Sequence, residues 1–127
     1  MNENQIARII VQVAFDIHTR LGPGLLESVY EAVMANQLEK RGLQVTRQQA
    51  IPVVYDGVHL ETGFRADLIV GRRVIVEIKA VEEIHPVHKK QLLTYLKLAD
   101  KRLGLLINFN EALIKHGITR LVNNLSE

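Results

Sequence analysis

Three charged side chains interrupt the two most apolar stretches of the chain, and their types suit metal-dependent hydrolysis. Asp67 lies in one apolar run, and Glu77 and Lys79 lie in a run made otherwise of valine and isoleucine. Side chains alternate between the two faces of a strand, so Glu77 and Lys79 share a face. Carboxylate oxygens are the ligands that Mg2+ prefers, and a neighbouring ammonium group can stabilise charge on a phosphate under attack.

The connection between the two runs decides whether the carboxylates meet. If residues 71–73 form a three-residue loop, residue 70 pairs with residue 74 and Asp67 lies opposite Glu77. A two-residue loop would pair Asp67 with Val76 and turn Glu77 to the opposite face. The metal-site hypothesis therefore requires an odd-length loop or a bulge. Two carboxylates placed opposite each other repel unless a cation lies between them, and Mg2+ is the natural candidate.

A second interpretation of the same residues needs no metal. Glu77 and Lys79 could form a solvated strand face with a weak ion pair. The apolar surroundings argue against it, because burying an unpaired carboxylate costs roughly several kcal/mol.

Hydrophobic periodicity predicts the elements that must position these side chains. Apolar residues spaced by three and four predict a helix over residues 4–20 and a second over residues 26–41. Extended segments are predicted at residues 44–55 and 58–70, joined by the hairpin signal Asp56-Gly57, and Pro52 suggests that the first lies at a sheet edge. A buried strand follows at residues 74–80, then a helix from Pro86 and strands at 102–109 and 118–122. The order predicts an α/β or α+β fold, a sheet with helices packed on it.

Composition narrows the possible functions. The 127 residues are 47% hydrophobic and 24% charged, which predicts one globular domain over residues 1–127. The absence of cysteine excludes disulfides, thiolate metal sites and cysteine nucleophiles. No apolar stretch is long enough for a membrane helix and no secretory signal is visible, so we expect a cytoplasmic protein with no membrane partner. The formal net charge of +2 neither requires nor excludes nucleic acid.

Four motifs, in order, resemble the PD-(D/E)XK nuclease superfamily. Asp67 followed after nine residues by Glu77-Ile78-Lys79 matches its metal-binding spacing, although Ala66 replaces the proline of the superfamily's name. Gln91 and Tyr95 resemble the Gln-x-x-x-Tyr motif of its exonuclease and resolvase branches. Gly24, Glu27 and Tyr30 spell the motif of the GxxExxY family within the superfamily. The resemblance covers residues 5–124.

The resemblance implies a restriction-endonuclease-like core, a mixed sheet flanked by helices, and a role for each motif residue. Asp67, Glu77 and the backbone carbonyl of Ile78 would bind the metal, with Lys79 serving the attacking water or the transition-state charge. Glu27 would complete the acidic site, although a first-turn glutamate can also simply favour the helix dipole.

The remaining motif residues carry open alternatives. Gln91 would touch a water on the metal or a substrate phosphate. Tyr95 shares a helix face with Gln91 and is either a site residue or a packing residue. Tyr30 is either a chemical participant or a structural partner of the neighbouring helix.

Basic and histidine pairs near the motifs can be explained with or without a substrate. Lys89-Lys90 and Arg72-Arg73 either contact a phosphodiester backbone or solubilise the surface. His85 and His88 are best explained as surface histidines. No phosphate-binding loop is present, so no nucleotide cofactor is expected.

The sequence therefore predicts a Mg2+-dependent nuclease-like enzyme, with Mn2+ a possible substitute and DNA the favoured nucleic-acid substrate. A different class remains open: a nucleic-acid-binding or protein-interaction module that keeps the metal site and cuts nothing. Either could act as a homodimer, because so short a chain has little room for a separate recognition domain.

Overall fold

A computed structural model describes residues 1–60 and 63–126 as helices packed on a mixed sheet. Three α-helices, a 3-10 helix (Ile114–Gly117) and seven strands follow one another along the chain. Their bounds are α1 Glu3–Leu21, α2 Glu27–Lys40, β1 Val45–Ala50, β2 Val53–Tyr55, β3 Val58–Leu60, β4 Arg65–Val70, β5 Val74–Lys79, α3 Pro86–Leu98, β6 Leu103–Asn108 and β7 Ile118–Val122. None of the helices in these two ranges is long and apolar enough to cross a membrane.

The main sheet has five strands in the order β1-β4-β5-β6-β7. Its strands are antiparallel neighbours except β5 and β6, which run parallel and are connected through α3. Helices α1 and α2 pack on one face of the sheet and α3 packs on the other, so that β5 is covered on both faces. This arrangement confirms the predicted mixed sheet flanked by helices.

The turn between β4 and β5 sets the register that the metal-site hypothesis requires. Val70 pairs with Val74, Ile69 with Ile75 and Leu68 with Val76. Gly71 and Arg72 both have positive φ, and the Arg73 N–H donates to the Val70 carbonyl, which is the geometry of a type I′ turn. With Arg73 as its third residue, the loop between Val70 and Val74 has an odd number of residues. Gly71 is also required sterically, because a Cβ there would lie 2.7 Å from Ile6 Cδ1.

The two long extended segments predicted for residues 44–55 and 58–70 are shorter in the structure. β1 ends at Ala50, and β2 and β3 form a separate two-stranded ribbon closed by the turn at Asp56 and Gly57. Pro52 cannot donate a hydrogen bond to a ladder, so the chain leaves the main sheet there. β1 is an edge strand, as Pro52 suggested. Part of the predicted second segment, residues 61 and 62, lies outside the described residues.

Candidate metal and catalytic site

Asp67 and Glu77 come together where β4 and β5 stop pairing. The last ladder pair is Leu68 with Val76, and the register places Asp67 opposite Glu77. Beyond that pair, hydrogen bonds to side chains replace the ladder. The Ile78 N–H donates to Asp67 Oδ2 at 2.8 Å, and the Asp67 N–H donates to Glu77 Oε2 at 3.3 Å. The two carboxylates are therefore neighbours, as the three-residue loop predicted.

The Glu77 carboxylate is buried and incompletely satisfied. Its residue is 6% exposed, and Oε1 has no hydrogen-bond partner among the described residues. Burial, followed by the charge of Asp67, raises the pKa of Glu77 to about 9. An unpartnered oxygen beside a second carboxylate is the local condition that a bound cation would relieve.

The backbone of β5 adds a third oxygen at this point. N–H and C=O groups of one residue point to the same side of a strand. Because the Ile78 N–H points towards β4, the Ile78 carbonyl also faces β4, where the ladder has ended. This orientation suits the ligand role that the sequence resemblance implies for Ile78.

Lys79 and Glu27 lie at the carboxyl end of β5. Lys79 shares the sheet face of Glu77, and no carboxylate of the described residues forms an ion pair with it. Glu27 begins α2, and its Oε2 accepts a hydrogen bond from the Ala80 N–H at 3.3 Å. The first turn of α2 thus brings Glu27 against Ala80, the residue that follows Lys79.

Gln91 and Tyr95 differ in their surroundings although both belong to α3. Gln91 is exposed and makes no hydrogen bond among the described residues. Tyr95 is buried against the sheet and packs edge-on against Phe64 at a ring distance of 5.4 Å. Burial, and then the charges of Glu77 and Asp67, raise the pKa of the Tyr95 hydroxyl. Tyr95 is therefore a packing residue that also lies in the electrostatic field of the carboxylates.

Tyr30, the last residue of the Gly-x-x-Glu-x-x-Tyr motif, has a structural role. It is fully buried and stacks on Phe109 at 4.4 Å. Its hydroxyl donates to the Gly22 carbonyl at 2.6 Å and accepts from the Leu25 N–H at 3.2 Å. Tyr30 thereby fixes the loop from which Glu27 and α2 begin.

The two basic pairs occupy opposite ends of the sheet. Arg72 and Arg73 lie in the β4–β5 turn, at the opposite end of β5 from Lys79. Lys89 and Lys90 are exposed in the first half of α3. Near them His88 lies in the field of Lys79 and Glu27, and burial together with Lys79 lowers its pKa. Of the two basic pairs, Lys89-Lys90 therefore lies at the end of the sheet that carries Asp67 and Glu77, and Arg72-Arg73 does not.

Three polar residues that the sequence interpretation missed support this region. Gln48 donates to Asp67 Oδ1 at 3.2 Å and to Glu31 Oε1 at 2.6 Å. Asn108, fully buried at the end of β6, donates to the Val81 carbonyl at 2.9 Å and accepts from the Val81 N–H at 3.1 Å. These bonds hold the chain just after Lys79. Glu31 recurs four residues after Glu27 on α2, and that spacing was its only sequence signal.

The donor set fits one hydrated Mg2+. Within residues 1–60 and 63–126 no group of three or more histidine, aspartate or glutamate side chains is placed to hold a metal ion. Mg2+ does not need such a group, since it keeps several waters and is typically held by one or two carboxylates plus a substrate phosphate. Asp67 and Glu77, with the orphaned Oε1, meet that requirement.

Comparison with protein-family models agrees with the fold. The family model described as the PD-(D/E)XK nuclease superfamily matches residues 4–121. The chain belongs to the PD-(D/E)XK nuclease superfamily. No curated protein and no solved structure gives a significant match. Membership of this superfamily suggests a metal-dependent, nuclease-like function.

Proposed function

We propose that this PD-(D/E)XK superfamily protein hydrolyses phosphodiester bonds of nucleic acid with Mg2+, and that DNA is its substrate. The observation that carries the proposal is the Asp67–Glu77 pair. These are two adjacent carboxylates at the end of a strand ladder, one of them with a buried oxygen that has no partner. A protein does not ordinarily keep such a pair unless a cation joins it.

Each residue of the site has a distinct task in this proposal. Asp67, Glu77 and the Ile78 carbonyl hold the ion, which supplies Lewis-acid stabilisation of phosphate charge and activates water. Lys79 places its ammonium group beside the phosphate and stabilises the charge that develops during attack. Water adds to phosphorus as the bond to the leaving nucleoside oxygen breaks. The attacking water loses one proton to solvent and the leaving oxygen gains one from solvent, so the products are a phosphomonoester and a hydroxyl.

Glu27 and Gln91 are assigned to the rim of the site. Glu27 accepts from the Ala80 N–H with one oxygen and keeps its other oxygen for a water or the ion. Gln91 is exposed and has no competing hydrogen bond among the described residues, so its carboxamide is available to a substrate phosphate. Tyr95 bounds the site from the α3 side.

We also assign the chain to the GxxExxY family on Gly24, Glu27 and Tyr30. The structure gives this motif a physical reason, because the Tyr30 hydroxyl fixes the loop and the loop places Glu27 at the end of β5. We further propose that the protein acts in the cytoplasm and that a homodimer provides a wider substrate footprint.

The decisive test is cleavage of labelled nucleic acids by purified protein with Mg2+ or Mn2+. Single-stranded, duplex and branched DNA and RNA are compared for the parent, Glu77→Gln and Lys79→Ala. Exposed residues at the opposite end of α2 from Glu27 supply matched controls, Glu39→Gln and Lys40→Ala. We expect cleavage of DNA by the parent and both controls, with a loss of at least about 100-fold in the two site variants.

Other outcomes separate the alternatives. Equal cleavage by the parent and Glu77→Gln would contradict the proposal, because cleavage would then not depend on the proposed metal ligand. Binding of nucleic acid without cleavage by any variant would favour the catalytically silent module. Cleavage of RNA alone would overturn the choice of DNA.

A further inference from the structure

Gln48 adopts an unusual backbone conformation beside the carboxylates. β1 and β4 pair through Arg47 with Leu68 and through Gln49 with Ala66, and Gln48 lies between these pairs with φ of 51°. A non-glycine residue in the left-handed region costs about 1–3 kcal/mol and persists only where its surroundings hold it. Arg65 contributes by donating from its guanidinium group to the Gln48 carbonyl at 3.1 Å.

The conformation directs the Gln48 side chain at two carboxylates. Its amide nitrogen donates to Glu31 Oε1 at 2.6 Å and to Asp67 Oδ1 at 3.2 Å. A primary amide has two N–H groups, so both are used. Gln48 therefore connects β1 to α2 and to the metal-binding edge of β4.

Glu31 is itself anchored, which makes the connection rigid. The Arg47 guanidinium donates to Glu31 Oε2 from Nη2 at 2.9 Å and from Nε at 3.2 Å. The Glu31 side chain is 10% exposed and the Arg47 side chain 47% exposed, so the carboxylate end of this ion pair is shielded from water and the guanidinium end is not. The Glu31 carboxylate thus holds the Gln48 amide in place.

We propose that Gln48 is a positioning residue of the metal site, acting through Asp67. This inference rests on the proposed function. Asp67 Oδ2 is fixed by the Ile78 N–H and Oδ1 by the Gln48 amide, so the carboxylate has one orientation. Each oxygen keeps a lone pair for a cation. Gln48 touches neither the ion nor the substrate. It sets the direction in which Asp67 presents its oxygens.

The test measures Mn2+ affinity, by calorimetry and by electron paramagnetic resonance, for the parent and Gln48→Gly. Glycine adopts the left-handed conformation without strain, which offsets part of the stability lost with the two hydrogen bonds, so the metal-free variant should remain folded with a melting temperature that is level or lower. Removing an outer hydrogen bond to a metal ligand typically weakens metal binding about 10–100-fold, and we expect a loss in that range. A purely structural role predicts unchanged affinity.

A second variant and a control guard against misfolding. Asparagine tolerates the same backbone conformation, but its side chain is one methylene shorter and cannot span both carboxylates, so Gln48→Asn should also weaken Mn2+ binding. Gln49→Ala, which changes the exposed neighbouring amide, should bind as the parent does.

The two proposals fail in different ways. If the parent binds Mn2+ and both Gln48 variants bind it equally well, the positioning role is overturned and the proposed function stands. If the folded parent binds no Mn2+ at millimolar concentration, the proposed function is overturned and this inference with it.

Discussion

At the scale of single residues, the two carboxylates differ in what holds them. Both oxygens of Asp67 accept hydrogen bonds, from Gln48 and from the Ile78 N–H. Glu77 has one oxygen accepting from the Asp67 N–H and one with no partner among the described residues. In the absence of metal, Glu77 is therefore the member of the pair that keeps a proton.

This difference predicts how the metal-free protein responds to pH. The pKa of Glu77 is about 9 in the folded protein against an ordinary value of 4.5, so folding takes up a proton between these limits. The contribution to stability is complete below about pH 4.5 and is lost as pH rises towards 9. We expect the melting temperature of the parent to fall over this window in chelator-containing buffer.

Glu77→Gln should remove most of that pH dependence. At pH 8 the free energy of unfolding of the variant should exceed that of the parent by about 1–3 kcal/mol, because glutamine is neutral and, unlike Glu77, does not have to take up a proton on folding. The control Glu39→Gln should keep the slope of the parent. Thermal melts at several pH values measure this pH dependence. Parallel curves of melting temperature against pH for the parent and Glu77→Gln would contradict the assignment of the pH dependence to Glu77.

Metal should reverse the ranking of the same two proteins. A ligand that binds only the folded state stabilises it in proportion to the logarithm of its concentration over Kd. Millimolar Mg2+ or Mn2+ at pH 8 should therefore raise the melting temperature of the parent by several degrees and leave Glu77→Gln unchanged. An equal shift in both proteins would place the ion elsewhere.

At the scale of elements, two polar side chains hold the segments that carry the site. Tyr30 ties α2 to the preceding loop, and Asn108 ties β6 to the chain that follows β5. Each side chain hydrogen-bonds to backbone groups of a loop that no strand ladder holds in place. Glu27 and Lys79 depend on these ties for their positions.

Tyr30→Phe isolates the contribution of the hydrogen bonds that the Tyr30 hydroxyl makes to the loop before α2. Phenylalanine keeps the stack on Phe109 and loses the hydrogen bonds to the Gly22 carbonyl and the Leu25 N–H. We expect a loss of about 1–2 kcal/mol in unfolding free energy and a several-fold loss of cleavage through displacement of Glu27. Denaturant melts and kcat with Mg2+ measure these effects. A stability loss with unchanged kcat would mean that the loop does not control Glu27.

Asn108→Ala should have a larger effect on stability. The substitution leaves the Val81 N–H and carbonyl without the partners that Asn108 gave them and opens a small cavity at a fully buried position. We expect about 2–4 kcal/mol of destabilisation, measured by urea unfolding. The exposed Asn36→Ala is the matched control and should change stability by less than about 0.5 kcal/mol.

The sequence was sufficient for elements whose signals are local. Gly71 marked the turn between β4 and β5 and Pro86 the start of α3, whereas the register of β4 against β5 stayed open until the structure showed a three-residue loop. Gln48 could not be predicted, because its role depends on contacts with residues 17 and 19 positions away and on a backbone conformation that glutamine rarely adopts. Asn108 likewise acts on Val81, 27 positions away. Hydrophobic periodicity predicts which face of a helix or strand is buried, but it does not predict which polar side chains form hydrogen bonds with each other.

At the scale of the whole molecule, the small net charge of +2 means that local charge must attract a nucleic acid. The structure separates the two basic pairs, with Lys89-Lys90 on the first half of α3 and Arg72-Arg73 at the far end of β5. Lys89-Lys90 therefore lie at the same end of the sheet as Asp67 and Glu77, where the proposal places the phosphodiester, and Arg72-Arg73 lie at the other end. The binding footprint should therefore be one-sided.

Salt dependence of binding tests this one-sided footprint. Each phosphate contact contributes about −0.9 to the slope of log K against log salt concentration for duplex DNA. In the Glu77→Gln background, which prevents cleavage, Lys89→Ala/Lys90→Ala should weaken DNA binding several-fold and reduce the slope by up to about 2. Arg72→Ala/Arg73→Ala removes the same charge from the other end and should leave both quantities near the parent values. Fluorescence anisotropy over a range of KCl concentrations measures both quantities. Equal losses for the two double variants would contradict the one-sided footprint, because the position of the removed charge would then make no difference.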